Sequence, residues 1–200
     1  MYNLLKTAFL FMLLIIVANT SSSQEILTDF DGNQYKTILI GGKLWMAENL
    51  KSTKNAEGDS IESYCFYIDS NYCNTYGRLY PWNSLNIGSE DSILKDICPE
   101  EWHIPSDKEW LTMIDTLGGI TKAGTKLKDD EHPAFNIQFG GNYNPVVKIF
   151  SYIDDHAYFW TSTKFSNSAA WMRQLGLYNK NINRSTVPII YAFSVRCVKD

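Results

Sequence analysis

The sequence predicts a single α+β domain, irregular and loop-rich, with short antiparallel strands, few helices and two disulfides. Three observations carry this reading. Several short segments alternate or run apolar like strands, separated by stretches rich in Asn, Ser and Gly. One helix start is sharply marked, at Ser106. Four cysteines follow an N-terminal export signal, an even number for a compartment where thiols oxidise. A chain of 200 residues, 44% hydrophobic and 20% charged, is an ordinary globular composition and excludes disordered and collagen-like classes. The formal charge of −4 leaves no basic footprint for nucleic acid. Aromatic residues reach 14%, enough for a filled core, a stacking surface or both.

Ala8 to Ala18 is an unbroken apolar run of 11 residues behind Lys6. It is too short to cross a hydrocarbon core, which takes roughly 20 helical residues. Ser21 and Ser23 stand as small residues before Gln24, so residues 1–23 read as a cleaved secretory signal, with an uncleaved anchor as the alternative. The domain then spans 24–200, with no membrane span after cleavage. Losing Lys6 and no acid leaves 17 basic against 22 acidic side chains, a net −5. The protein is therefore expected to be secreted or held at the cell surface.

Cys65, Cys73, Cys98 and Cys197 allow three pairings. Cys65 and Cys73 enclose a short polar loop, while Cys98 lies in a strand-like segment and Cys197 near the C-terminus, which favours 65–73 with 98–197. A zinc site lacks its spacing: there is no C-x-x-C, and no His stands beside the Cys.

Along the rest of the chain, Asp31-Gly32-Asn33 is turn chemistry, Gln34 to Ile40 a strand, Gly41-Gly42 a tight hairpin and Lys43 to Met46 its return. Asp29-x-Asp31-Gly32-Asn33 could open a calcium loop, but the twelfth position holds Ile40 where a bidentate Glu belongs. Lys51 to Ser60 and Asn83 to Asp91 read as loops, and Tyr76 to Trp82 as a buried aromatic corner. Ser106-Asp107-Lys108-Glu109 is a capping box after Pro105. Trp110, Leu111, Ile114 and Leu117 mark the helix face, and Gly118-Gly119 ends it. His103 and Ser106 resemble a base and a nucleophile, but a cap serine beside a loop histidine explains them better. Ala157 to Thr163, Ala170 to Leu175 and Tyr191 to Val198 read as strands, with loops at Lys164–Ser168 and Tyr178–Thr186. Asn183-Arg184-Ser185 fits a glycosylation sequon.

Longer strings go further. They are Asp31 to Thr37, Leu44-Trp45-Met46-Ala47-Glu48-Asn49-Leu50-Lys51, Cys73 to Tyr80, Cys98-Pro99 with Trp102 to Asp107, Tyr158 to Thr163, and Phe193 to Val198. In this order, from Thr28 to Asp200, they resemble the Fibrobacter succinogenes major paralogous domain, a family of exported bacterial proteins. Pro81 and Ala192 depart from its usual pattern. His103 to Trp110 and Phe193 to Cys197 are similar to parts of the formylglycine-generating, sulfatase-modifying group. The resemblance implies a disulfide-stapled relative of the C-type lectin fold, in which an early helix is tied to the last strand, in agreement with a Cys98–Cys197 link. It does not carry the chemistry. The oxidases use a copper-binding cysteine pair, and Trp171 to Tyr191 contains no Cys. The lectin calcium–sugar tripeptides are also missing, with Trp82-Asn83-Ser84 the nearest. No cofactor is called for, and calcium has no supporting motif.

The expected function is a non-enzymatic binding module of the cell surface or extracellular space, its target a polysaccharide or a surface protein. A glycan hydrolase is the alternative, encouraged by Asp154-Asp155 near His156 and Asp129-Asp130-Glu131 near His132. Adjacent acids cannot face each other across a substrate, however. A structural envelope protein without a ligand is the third reading. The expected binding surface is the late loop with Tyr178, Asn181, Asn183 and Arg184, joined by Tyr152 and His156 from the preceding loop. Tyrosine offers a stacking face with a hydroxyl, and Asn and Arg offer planar donors.

Overall fold

The computed structural model describes residues 26–85, 97–128 and 135–200. The signal read at 1–23, much of the loop read at 83–91, and the acidic run at 129–131 with His132 lie outside them. The first strands form a meander, β1 (Ile26–Thr28), β2 (Gln34–Ile40) and β3 (Lys43–Met46), with the hairpin at Gly41-Gly42 as read. The last strand, β11 (Val198–Lys199), pairs with β3 and completes a four-stranded sheet. In the turn before β2, Asp29 accepts from the Asn33 backbone N–H at 2.9 Å and the Tyr35 hydroxyl at 2.6 Å, while Asp31 accepts from the Thr53 N–H. Asp29 is thus committed to the turn and β2, and Asp31 to the loop at Ser52 and Thr53.

Three α-helices follow: α1 (Ser70–Tyr76), α2 (Asp107–Thr116) and α3 (Ile120–Lys128). The capping box stands at the start of α2 as read, with Ser106 accepting from the Glu109 N–H and Glu109 accepting from the Ser106 N–H. Its buried face is Trp110, Met113 and Ile114, followed by Leu117, whereas Leu111 is exposed. Gly118-Gly119 ends α2 through two positive φ angles, and α3 starts at once. That helix was not expected, because a glycine pair reads as a stop and says nothing of a restart.

The larger sheet contains β4 (Tyr80–Pro81), β5 (Gly140–Asn144), β6 (Ile149–Ile153), β7 (His156–Ser166), β8 (Ala169–Gly176), β9 (Ile182–Pro188) and β10 (Ala192–Phe193). Its order is β4-β10-β5-β7-β8-β9, with β6 added on β5. The loops expected at 164–168 and 178–186 are shorter than read. β7 runs on to Ser166 past a register shift, and β9 begins at Ile182. The Asn- and Ser-rich stretch is thus an edge strand, where polar outward side chains discourage pairing with another sheet. The segment expected at 191–198 is split between β10 and β11, one strand for each sheet. Cys98 lies in a bend before α2, neither strand nor helix.

Alternation along β7 and β8 separates two cores. Tyr158, Trp160 and Met172 face a core with Tyr35, Leu50, Trp82 and Phe193, and Leu79, Tyr80 and Trp82 form the buried corner read from the sequence. Ala157, Phe159 and Leu175 face the other core, with Trp45, Trp110, Ile114 and Phe135. Arg196, 1% exposed, sits between strands and donates from Nε to Asn49 Oδ1 at 2.9 Å, and from its other nitrogens to the carbonyls of Phe135 and Asn136. Burial pulls its pKa down to about 9, opposed by Glu48.

The disulfides are Cys65–Cys73 and Cys98–Cys197, as favoured from the sequence, and no cysteine is free. Their separations of 8 and 99 residues correspond to about 2.5 and 4.7 kcal/mol in the chain-entropy description. Denaturant unfolding should therefore show the C98A/C197A pair losing about 2 kcal/mol more than C65A/C73A. Acid should also weaken the fold through Glu109. Burial alone would raise its pKa, but hydrogen bonds from Lys43, the Ser106 N–H, His103 and the Ser106 hydroxyl bring it from 4.5 to about 2. A depressed carboxyl contributes stability above its unfolded pKa and loses it as pH falls through the folded one. Glu109→Gln keeps a capping-box side chain but removes the charge facing Lys43. At pH 7 it should cost about 3 kcal/mol, a deficit that closes in melts taken from pH 4.5 down to about 2.

Candidate functional site

The loop closed by Cys65–Cys73 and the hairpin of β5 and β6 together build a ledge of aromatic rings. Phe66 is buried beneath it, with Tyr67 at 4.6 Å and Phe150 at 5.1 Å between centroids. Tyr143 stacks on Phe150 at 4.3 Å, and Tyr64 meets Tyr143 at 4.5 Å. On α1, Tyr72 reaches Tyr67 at 5.9 Å and stacks with Tyr76 at 6.1 Å. Solvent meets Tyr67 (64% exposed) and Ile68 (87%), with Val146, Val147 and Ile149 at the hairpin.

The backbone here is strained. Seven described non-glycine residues have positive φ, and five of them belong to this region: Tyr67, Ile68, Lys148, Tyr152 and Asp154. Ile68 at φ 60° is the sharpest case, since a β-branched side chain is a genuine outlier there. Such positions cost on the order of 1–3 kcal/mol and persist only when the surroundings over-determine them. The surroundings do so. The Ile68 N–H donates to the Cys65 carbonyl at 2.9 Å, and Asp69 caps α1 by accepting from the Asn71 N–H. Arg78 lies behind the disulfide, its Nε on Ser63 Oγ at 2.7 Å and Nη1 at 3.4 and 3.5 Å from the two sulfurs. The far end of α1 is tied to Asn49, whose Nδ2 donates to the Tyr76 carbonyl at 2.8 Å.

Two hydroxyls are committed to acids. Tyr64 donates to Glu62, and Tyr76 donates to Asp154 Oδ1 at 2.5 Å. Burial and then Glu62 push Tyr64 up to about 12, and the Asp154 hydrogen bond followed by burial does the same for Tyr76. Both phenols are neutral at physiological pH.

The residues expected from the sequence divide between two faces. Tyr152 and His156 meet edge to face at 5.3 Å and lead on to Tyr158 and Phe193, a second ring row whose contacts are separate from those of the ledge. His156 Nδ1 lies 2.9 Å from Asp155 Oδ2, and the Asp155 carbonyl accepts from the Leu177 N–H at 2.8 Å, seating the start of the late loop. Lys128 donates to the carbonyls of Gly176, Leu177 and Asn179. At Gly124, α3 approaches so closely that a Cβ would collide with the Lys180 carbonyl. Tyr178, 89% exposed, therefore projects from a clamped loop, with Asn181 exposed at its end.

Asn183 and Arg184 lie on β9, not in the loop. Asn183 pairs through Gln174 with Tyr158, whereas Arg184 pairs through Arg173 with Phe159, so they point to opposite faces. Arg184 donates from Nε to Asp107 Oδ2 at 2.9 Å and lies 3.2 Å over the Trp171 ring, while Arg173 holds the other Asp107 oxygen at 2.6 Å. Arg184 serves the packing of α2 against the sheet. Sequence reasoning missed Tyr67, Ile68, Tyr72 and Phe150, although a short disulfide loop carrying two tyrosines and a phenylalanine was a usable signal.

The candidates for chemistry are committed elsewhere. Ser106 caps α2, and His103 Nε2 lies 2.8 Å from Glu109 Oε1. His103, Glu109 and Asp200 converge, but the Lys43 ammonium bonds both carboxylates and supplies the cation they need. Depressions of about 220 and 230 Å³ beside Tyr35 and beside Leu117 fall below the ~300 Å³ of small-molecule pockets.

Among the described residues no helix is long and apolar enough to cross a membrane, and this, with two disulfides, is consistent with an extracellular protein. The class so defined is a disulfide-stapled α+β domain displaying aromatic rings. The chain belongs to the Fibrobacter succinogenes major domain family, whose model matches residues 38–199. No curated protein and no solved structure matches it. Ile68→Gly should relieve the left-handed strain and raise stability by about 1 kcal/mol, seen as a higher melting temperature. A melting temperature lowered by more than glycine's own entropic cost of about 0.5–1 kcal/mol accounts for would mean that Ile68 is not strained.

Proposed function

We propose that this protein is an exported, non-enzymatic binding module, released or retained at the cell surface after removal of residues 1–23, and that it docks a polysaccharide on the ring ledge. The observation that supports this most is the concentration of strained backbone where the rings are most exposed. Ile68, 87% exposed, holds its left-handed backbone with no burial of its own side chain to explain it, and pre-organisation for a ligand is a role that does. Pyranose rings present C–H faces that lie flat on tyrosine and phenylalanine, and their hydroxyls find acceptors at the rim. The commitments of Ser106, His103, Asp154 and Asp155 support a binding role over hydrolysis.

A second reading, a surface protein as target, is favoured by the aliphatic side chains at the margin: Ile68, Val146, Val147 and Ile149. Affinity electrophoresis in gels containing soluble polysaccharides, with and without calcium, separates the two. The protein should be retarded by at least one glycan, and Tyr67→Ala should weaken retention about tenfold with little change in melting temperature. No retardation in any gel would remove the polysaccharide reading and leave the protein one, and retention unchanged in Tyr67→Ala would move the site off the ledge.

A further inference from the structure

Resting on the polysaccharide reading, the geometry points to a glycan without anionic groups: the ledge selects hydroxyl- or amine-bearing chains and rejects uronates. Three carboxylates flank the rings: Glu62 holds the Tyr64 hydroxyl, Asp154 holds the Tyr76 hydroxyl, and Asp69 caps α1. Glu62, Asp69 and Asp154 are exposed. Against them stand Lys148 at the hairpin and Arg78, which is turned to Ser63 and the sulfurs behind the loop.

Charge is half of the selection and hydrogen bonding is the other half. A tyrosine has one O–H proton, and Tyr64 and Tyr76 have each given theirs to a carboxylate. What remains on those two oxygens is acceptor capacity, and a carboxylate offers nothing else. A sugar hydroxyl or ammonium can donate to such a rim. A uronate carboxylate brings further acceptors and like charge, so at the Glu62–Tyr64 and Asp154–Tyr76 pairs it meets repulsion without compensating bonds. The repulsion acts between partly exposed groups and is screened within about 10 Å at 0.1 M salt.

Matched polymers test this. Hydroxyethylcellulose is compared with carboxymethylcellulose, galactan with polygalacturonate, and chitosan serves as the amine-bearing probe, all by affinity electrophoresis at low and high salt. The expected result is retention by a neutral polymer at least about tenfold stronger than by its carboxylated counterpart at low salt, the gap narrowing at high salt. The gap should also narrow in the E62Q/D154N variant, through stronger retention by the carboxylated polymer. Chitosan retention should fall in Tyr67→Ala. Equal or stronger retention by the carboxylated polymer overturns the selectivity while leaving glycan binding standing. Retention by none of the polymers overturns glycan binding itself. Chitosan retention untouched by Tyr67→Ala shows attraction by bulk charge and overturns the amine preference.

Discussion

The buried guanidinium of Arg196 is the constraint around which the rest of the molecule is arranged. A charge taken from water must recover its hydrogen bonds inside the protein or cost several kcal/mol. Here the acceptors come from distant stretches of chain: Asn49 Oδ1 from the segment after β3, and the carbonyls of Phe135 and Asn136 before β5. The flat cation also lies 4.4 Å from the Phe135 ring and 5.4 Å from that of Phe159. Asn49 can serve as acceptor only if its amide is turned, and its Nδ2 is then directed at the Tyr76 carbonyl and Ser194 Oγ. One side chain thereby fixes the relative positions of both sheets and the end of α1.

The same network reaches the surface. Gln138 accepts from the Asn49 N–H at 2.7 Å and donates to the Thr75 carbonyl at 2.8 Å, so α1 is held at two successive carbonyls. Gly77 follows at φ 77°, packed so tightly on Asn49 that a Cβ would not fit. The disulfide pins the middle of the helix through Cys73. Tyr67 and Ile68 are thus displayed by a loop with both ends fixed, which is how an unfavourable conformation can be kept without side-chain burial. Rigidity at the ledge and burial at Arg196 are two ends of one arrangement.

Local chemistry was legible in the sequence wherever neighbours in the chain decide it. The capping box at Ser106, the Gly41-Gly42 hairpin and the limits of β2 and β3 depend on adjacent residues, and they stand where they were read. So does the disulfide pairing, which the short Cys65–Cys73 span and the family resemblance both favoured. What failed depended on partners far along the chain. β9 reads as a turn because Asn, Arg, Ser and Thr favour turns in isolation, yet β8 offers a full ladder of partners and the edge tolerates their polarity. Arg184 looked like a free donor for a ligand. Its role follows from Asp107, 77 residues earlier, and from Trp171, whose ring lies beneath it. The ledge as a whole was hidden for the same reason: the rings of the disulfide loop were a signal, but Tyr67 and Phe150 meet only after β6 folds back.

The long disulfide also has a topological consequence. Cys98 and Cys197 make the chain between them a closed covalent ring containing α2, α3, the late loop and most of the larger sheet. The exposed tip at Tyr178 lies inside that ring. A protease that cuts there opens the ring without releasing a fragment, and the β7–β8 and β8–β9 ladders still hold the two new ends in register. A nicked molecule of this kind stays in one piece and keeps its aromatic surface assembled.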